Sequence, residues 1–262
     1  MSFRKAKDVS PLKGVEYNSE EAKSFLEMYK GNVEKSLVQD SDYVPSKRFA
    51  PSSIRCKRQQ WFKLRGTKPD RVSEPDVTLN FIADIGTHVH RVVQSNLSKF
   101  LGDDWVDVEQ YLLENPPKYK YKLVKDGYET RVTVDDPPVR FSCDGLVRMD
   151  DKVYLLEIKT SEVKSMRVLV SPKEEHLDQV KCYCTLLGLD DAIVVYQDRQ
   201  YGSMKCFTYH MKDSDKQKIV DMFEEVQDRV AKNMIPEALP YGDKWCNSSY
   251  CKYYRTCKKW GR

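Results

Sequence analysis

The chain predicts an α/β fold in which a mixed central sheet is flanked by helices, and three observations lead there. Residues Leu79 to Leu101 carry apolar side chains at helical spacing. A strand-rich stretch then runs from Trp105 through a tight hairpin in VRFSCDGLVRMDDKVYLLEIKTSE. Helix, strand, strand and helix follow in that order, which is the alternation that stacks helices on a sheet.

The elements can be justified one by one. Ser19 to Leu37 (SEEAKSFLEMYKGNVEKSL) reads as a helix in an otherwise polar opening segment. In the next helix Ile85, Val89, Val92 or Val93, Leu97 and Phe100 form the apolar stripe, with Gly86 as its weakest position. Ser171-Pro172-Lys173-Glu174 supplies an N-cap, an N1 proline and a capping-box glutamate for a helix that stops at Gly188. Ile193 to Tyr196 and Lys205 to Tyr209 read as strands, and a long helix begins at Asp213 or Ser214 and ends near Met234. The expected division is an N-terminal helical segment over 1–78, a core over 79–235 and a tail over 236–262.

With 262 residues and 40% hydrophobic content, the chain is long enough for one large core with appendages. No run approaches the roughly 18 apolar residues of a membrane span, and Met1-Ser2-Phe3-Arg4-Lys5 is not followed by a secretory apolar segment. A cytoplasmic address and no membrane partner are the expectation. The 44 basic residues are nearly matched by 40 acidic ones, giving +4, a balance that permits nucleic-acid binding without demanding it.

The hairpin carries the chemistry. With Asp150 and Asp151 as a two-residue loop, Met149 faces Lys152, and counting outward sets Asp144 opposite Glu157, where β-carbons stand roughly 4.5 to 5.5 Å apart. Glu157 and Lys159 share a face, while Tyr154, Leu156 and Ile158 turn to the other. Two half-buried carboxylates repel, so a divalent cation is a natural way to hold both ionised, and hard oxygen ligands favour magnesium or manganese. A nearby amine can act on a water or a phosphate oxygen, which points to phosphodiester hydrolysis. The same residues also suit a solvated hairpin with an exposed ion pair. On the later helix Gln179 and Tyr183 share a face with His176 one turn earlier, a stripe that can orient a substrate or form an ordinary solvated edge. His90, in GTHVH, is either a metal ligand or a satisfied helical histidine.

Two basic runs interleave with aromatics: Lys57-Arg58, Trp61-Phe62-Lys63 and Arg65, then Lys118-Tyr119-Lys120-Tyr121-Lys122. Such runs suit a groove that tracks a nucleic-acid backbone with stacking surfaces, and the second equally suits a strand with one solvated face. Cys143, Cys182, Cys184 and Cys206 are expected as small buried hydrophobes. Cys246, Cys251 and Cys257 crowd the end of the chain, a density that favours a metal site over disulfides in a cytosolic protein.

Taken in order, Gly86-x-x-x-His90, Asp144-Gly145, Glu157-Ile158-Lys159-Thr160-Ser161 and Gln179-x-x-x-Tyr183 resemble the RecB-like branch of the PD-(D/E)XK nuclease superfamily, over about residues 80–190. The resemblance implies a restriction-endonuclease-like core. It assigns His90, Asp144, Glu157 and the Ile158 carbonyl to Mg2+ or Mn2+, gives Lys159 the water, and has Gln179 and Tyr183 support the site and contact DNA. AddB nucleases and CRISPR-associated RecB-like nucleases carry a 4Fe-4S cluster on one early and three late cysteines. Here Cys56, in SSIRCKR, resembles the first, and Cys246, Cys251 and Cys257 resemble the rest, although the four residues between Cys246 and Cys251 are a wider spacing than usual. Zinc, or no metal, is the alternative at these cysteines. A DNA exonuclease of phage or prokaryotic replication, recombination or end processing is the leading expectation, acting on single-stranded DNA or DNA with free ends. A CRISPR-adaptation nuclease that trims DNA before integration, and a DNA-binding module with an iron-sulfur fold, are the alternatives. No GxxxxGK[ST] loop occurs, so any helicase or recombination motor is a separate partner.

Overall fold

In the computed structural model, residues 19–37, 45–70, 77–240, 242–248 and 250–260 are described. The opening residues Met1 to Lys5 lie outside them. The chain runs through α1 (Glu20–Leu37), α2 (Lys57–Leu64), α3 (Val77–Leu101), β1 (Trp105–Val106), α4 (Val108–Glu114), β2 (Tyr121–Asp126), β3 (Glu129–Val134) and β4 (Val139–Cys143). It continues through β5 (Gly145–Met149), β6 (Lys152–Ser161), α5 (Val163–Val168), α6 (Glu174–Leu187), β7 (Asp191–Asp198), β8 (Met204–His210), α7 (Asp213–Ala231) and α8 (Tyr254–Lys259).

The mixed sheet flanked by helices is the architecture the sequence predicts. Its strand order is β1-β5-β6-β7-β8, with β6 and β7 parallel and the other neighbours antiparallel. An antiparallel β2-β3-β4 sheet stands beside it. The β5–β6 turn has Asp150 at φ 47° and Asp151 at φ 63°, the left-handed pair that matches strand twist in a two-residue hairpin. Met149 pairs with Lys152 and Gly145 with Leu156, so the register continued by one step sets Asp144 across from Glu157.

Side-chain alternation then sorts the two faces. Leu156 and Ile158 join Val147, Ile193 and Val195 beneath Val93 of α3, while Leu155, Val194 and Tyr196 belong to the larger core that includes Val180, Leu186 and Leu187 of α6. Burying such side chains contributes roughly 1.5 to 3 kcal/mol each. The parallel β6–β7 pair needs a crossover connection, and α5 and α6 supply it.

Several expectations change. Helix α6 begins at Glu174, with Lys173 rather than Ser171 at its cap, because Lys173 is extended (φ −64°, ψ 142°) and its N–H is held by the Tyr196 hydroxyl at 3.0 Å. Its stop at Gly188, φ 71°, is where the sequence places it. The strand-rich portion is interrupted by α4, which is nucleated by Asp107 accepting the N–H groups of Glu109 and Gln110 at 2.9 and 3.0 Å. In α3, Val93 is buried but Ile85, Val92 and Phe100 are exposed, since one narrow stripe faces the sheet. Phe81 stacks instead on Tyr29 of α1.

The first basic-aromatic run is core: Trp61 and Phe62 are each 1% exposed and Arg58 is buried, so these rings are closed to nucleic-acid bases. In the second run Tyr119 and Tyr121 pack against the core and the lysines turn outward, the arrangement of a strand with a solvated face. Cys143, Cys182 and Cys184 are buried as expected, but Cys206 is exposed because β8 edges the sheet and alternates outward there.

Candidate active site

Asp144 sits where the chain passes from β4 to β5, and three contacts from β6 and α3 fix it. The Ile158 N–H donates to Asp144 Oδ2 at 2.7 Å, His90 Nδ1 stands 3.3 Å from Asp144 Oδ1, and Gln94 Nε2 donates to the Asp144 backbone oxygen at 2.8 Å. His90 and Gln94 are four apart on α3 and so reach the same point. Gly145 is required by crowding, since a methyl group there would overlap the Trp105 ring.

Ligand atoms of His90, Glu129 and Asp144 all lie within 4.8 Å of one another. Glu157 is outside that group, although its carboxylate is close enough to act electrostatically on both His90 and Asp144. Its own partner is the Lys159 ammonium, which also donates to Gln179 Oε1 at 3.1 Å. Gln179 Nε2 in turn donates to the Tyr183 hydroxyl at 2.6 Å, and Tyr183 is stacked on Phe141. Lys159 is thus held by a chain of contacts that ends in the core. Ile158 reaches Asp144 through its N–H.

The electrostatics follow from burial. Glu157, 2% exposed, has its pKa raised by desolvation and by Asp144, against the pull of Lys159. Desolvation works to lower the His90 pKa, but the hydrogen bond and charge of Asp144 outweigh it and leave it raised. Glu129 is raised by burial and by Asp144. Two carboxyl groups held back from ionising, beside the Asp144 carboxyl and an imidazole, form a donor set that a hard divalent cation would satisfy. The donor chemistry therefore fits magnesium or manganese.

Sequence reasoning missed Glu129 and Gln94. Glu129 lies on the neighbouring sheet and carries no local signal. Gln94 could have been found from its i+4 relation to His90.

The cysteine set lies elsewhere. Cys56, Cys246 and Cys251 line one cavity of about 170 Å³, and Cys257 is buried with Arg58 Nη1 3.6 Å from its sulfur. The tail reaches Cys56 because it is tied to the α2 region. Asp70 accepts the Thr256 N–H at 3.0 Å and donates its own N–H to the Lys252 oxygen at 2.8 Å, while Tyr253 stacks on Phe62. Burial raises the Cys56 pKa, with Cys246 and Cys257 adding to it, and pushes Cys251 up to about 11, with Cys56, Cys246 and Cys257 adding to that. Among the described residues no three of these sulfurs come within 4.8 Å of one another.

No family model and no curated protein matches the chain. Among solved structures, it is similar to SSO0001 at 16% identity and TM-score 0.47, over 91% of this chain and 97% of that one. An alkaline exonuclease, LHK-Exo from Laribacter hongkongensis, is similar at 15% identity and TM-score 0.42, over 72% and 90%. LHK-Exo in complex with dAMP gives 15% and 0.40, over 78% and 93%. These likenesses are too distant to bear on activity.

Proposed function

We propose that the chain is a divalent-metal-dependent deoxyribonuclease that hydrolyses phosphodiester bonds as an exonuclease, in phage or prokaryotic DNA processing. The observation that carries this reading is the convergence of His90, Glu129 and Asp144 within 4.8 Å, beside the buried Glu157 and its half-buried partner Lys159. His90, Asp144, Glu157 and Glu129 would hold the metal, with the Ile158 carbonyl as a further ligand from the family resemblance. When bound, the ion lowers the pKa of a water and offsets charge on the phosphoryl oxygens.

The chain's own residues do the rest. Lys159, aimed by Gln179, holds the attacking water or a phosphate oxygen in line with the bond to be cut. Tyr183, whose pKa burial raises well above its ordinary value, stays protonated and fixes the Gln179 amide. Gln94 pins the Asp144 backbone at the β4–β5 junction. DNA with free ends is the substrate, read through its backbone phosphates, and any motor protein is a separate partner.

The cysteines are read as a 4Fe-4S site that fastens the tail to the α2 region. Two observations support it. Trp245 Nε1 is buried without a hydrogen-bond partner at the wall of the cavity that Cys56, Cys246 and Cys251 line, where a cluster sulfur would accept its N–H. Among the described residues no three of the four sulfurs lie within 4.8 Å of one another, whereas Zn–S bonds of about 2.3 Å impose edges of roughly 3.8 Å on a tetrahedron.

End-labelled DNA incubated with magnesium, with manganese and with excess chelator tests the activity. Degradation from an end that stops in chelator is the expected result. Unchanged degradation in chelator contradicts it.

A further inference from the structure

His176 lies about one helical turn before Gln179 on the same face of α6, roughly 4.5 Å back along the helix axis. Its ring is held by Tyr196, which pairs in register with Lys159 on the adjacent parallel strand and so projects from the same side of the sheet. Phe207 packs edge-on against Tyr196 from β8, fixing the phenol in turn.

The hydrogen-bond inventory sets the tautomer. Burial, reinforced by the ammonium groups of Lys159 and Lys173, drives the His176 pKa down to about 3, so the ring is neutral and has one donor and one acceptor. The Tyr196 hydroxyl accepts the Lys173 N–H at 3.0 Å. Tyr196 is 0% exposed, and its own proton goes to His176 Nδ1 at 2.7 Å. The imidazole proton is therefore on Nε2, which meets no acceptor among the described residues.

We infer that His176 is a DNA-binding residue whose Nε2–H donates to a phosphate oxygen of the strand, at the phosphate next to the one cleaved. The inference rests on the nuclease reading of the Lys159 site. A neutral donor with two lysines acting on it is suited to an anionic oxygen, and in DNA that oxygen belongs to phosphate. The one-turn offset from Gln179, which aims Lys159, assigns the neighbouring phosphate rather than the scissile one. Tyr196 serves as a positioning residue by holding Nδ1.

The test is equilibrium binding of fluorescein-labelled single-stranded DNA with calcium in place of magnesium, alongside steady-state cleavage. The oligonucleotides carry a single neutral methylphosphonate, moved one position at a time. His176→Ala should bind unmodified DNA roughly tenfold more weakly, with the loss appearing in KM more than in kcat. Tyr196→Phe should shift affinity the same way by less, and His176→Asn, which keeps an N–H donor, should recover part of the loss. At one methylphosphonate position wild type and His176→Ala should bind alike. Equal affinity of wild type and His176→Ala on unmodified DNA, or a His176→Ala penalty that persists at every position, overturns the inference. A wild-type protein that shows the position-specific pattern without cleaving supports the contact and sinks the nuclease reading alone.

Discussion

The Ile158 N–H donates to Asp144 Oδ2 at 2.7 Å, so the carboxylate is anchored by the strand that carries Glu157 and Lys159. One oxygen is spent on positioning while the other faces His90. This geometry makes the acidic pair a rigid unit of the β5–β6 hairpin, and the site should respond to changes in that hairpin's packing.

Gly145→Ala is the sharpest probe of this. The new methyl must displace the Trp105 ring, and overpacking of this kind costs about 1 to 3 kcal/mol. Thermal melting should show the destabilisation, and the residual folded protein should bind manganese more weakly than wild type. An unchanged melting temperature would show that Trp105 yields freely.

Glu129→Gln should weaken Mn2+ or Mg2+ binding by roughly tenfold or more, because it removes a carboxylate from the group shared with His90 and Asp144. Titration calorimetry measures this without any cleavage assay. Wild-type affinity would restrict the ion to the partners named in the sequence.

The pH dependence has a defined sign. The Glu157 pKa is raised in the folded state above its ordinary 4.5, so the folded protein holds the proton more tightly and loses stability as pH rises from that value through the folded pKa. A bound cation replaces the proton and removes the penalty. The rise in melting temperature caused by Mg2+ should therefore be larger at pH 8 than at pH 5, read by differential scanning fluorimetry at both values. A shift of equal size at both would contradict this.

Cys56→Ser tests the cluster. If all four cysteines share one metal site, this variant should lose the brown colour of anaerobically purified protein and melt at a lower temperature. A colourless wild-type protein, or a variant that keeps wild-type iron content and melting temperature, would remove the shared cluster and leave the nuclease site unaffected.

The hairpin and its flanking helices were legible because they rest on local rules: a two-residue loop, side-chain alternation at Glu157 and Lys159, and i,i+4 spacing at Gln179 and Tyr183. What the sequence hid depends on contacts between distant segments. Glu129 gains its place from the packing of one sheet beside another, and Lys173 displaces Ser171 as a helix cap because a tyrosine from β7 holds its amide. Trp61 and Phe62 resemble a stacking surface in sequence, yet α7 and the tail bury them. Alternation along Lys118 to Lys122 fitted two readings, and the core packing of Tyr119 and Tyr121 decided between them.

The central claim is that Lys159, held by Glu157 and Gln179, acts on the reacting groups at the Asp144 site. The most direct measurement is the single-turnover cleavage rate of end-labelled DNA by Lys159→Ala beside wild type, with DNA affinity and melting temperature recorded on the same preparations. The account predicts a rate at least ~100-fold lower, with folding retained and affinity reduced only slightly. Lys159→Ala cleaving at the wild-type rate would contradict it.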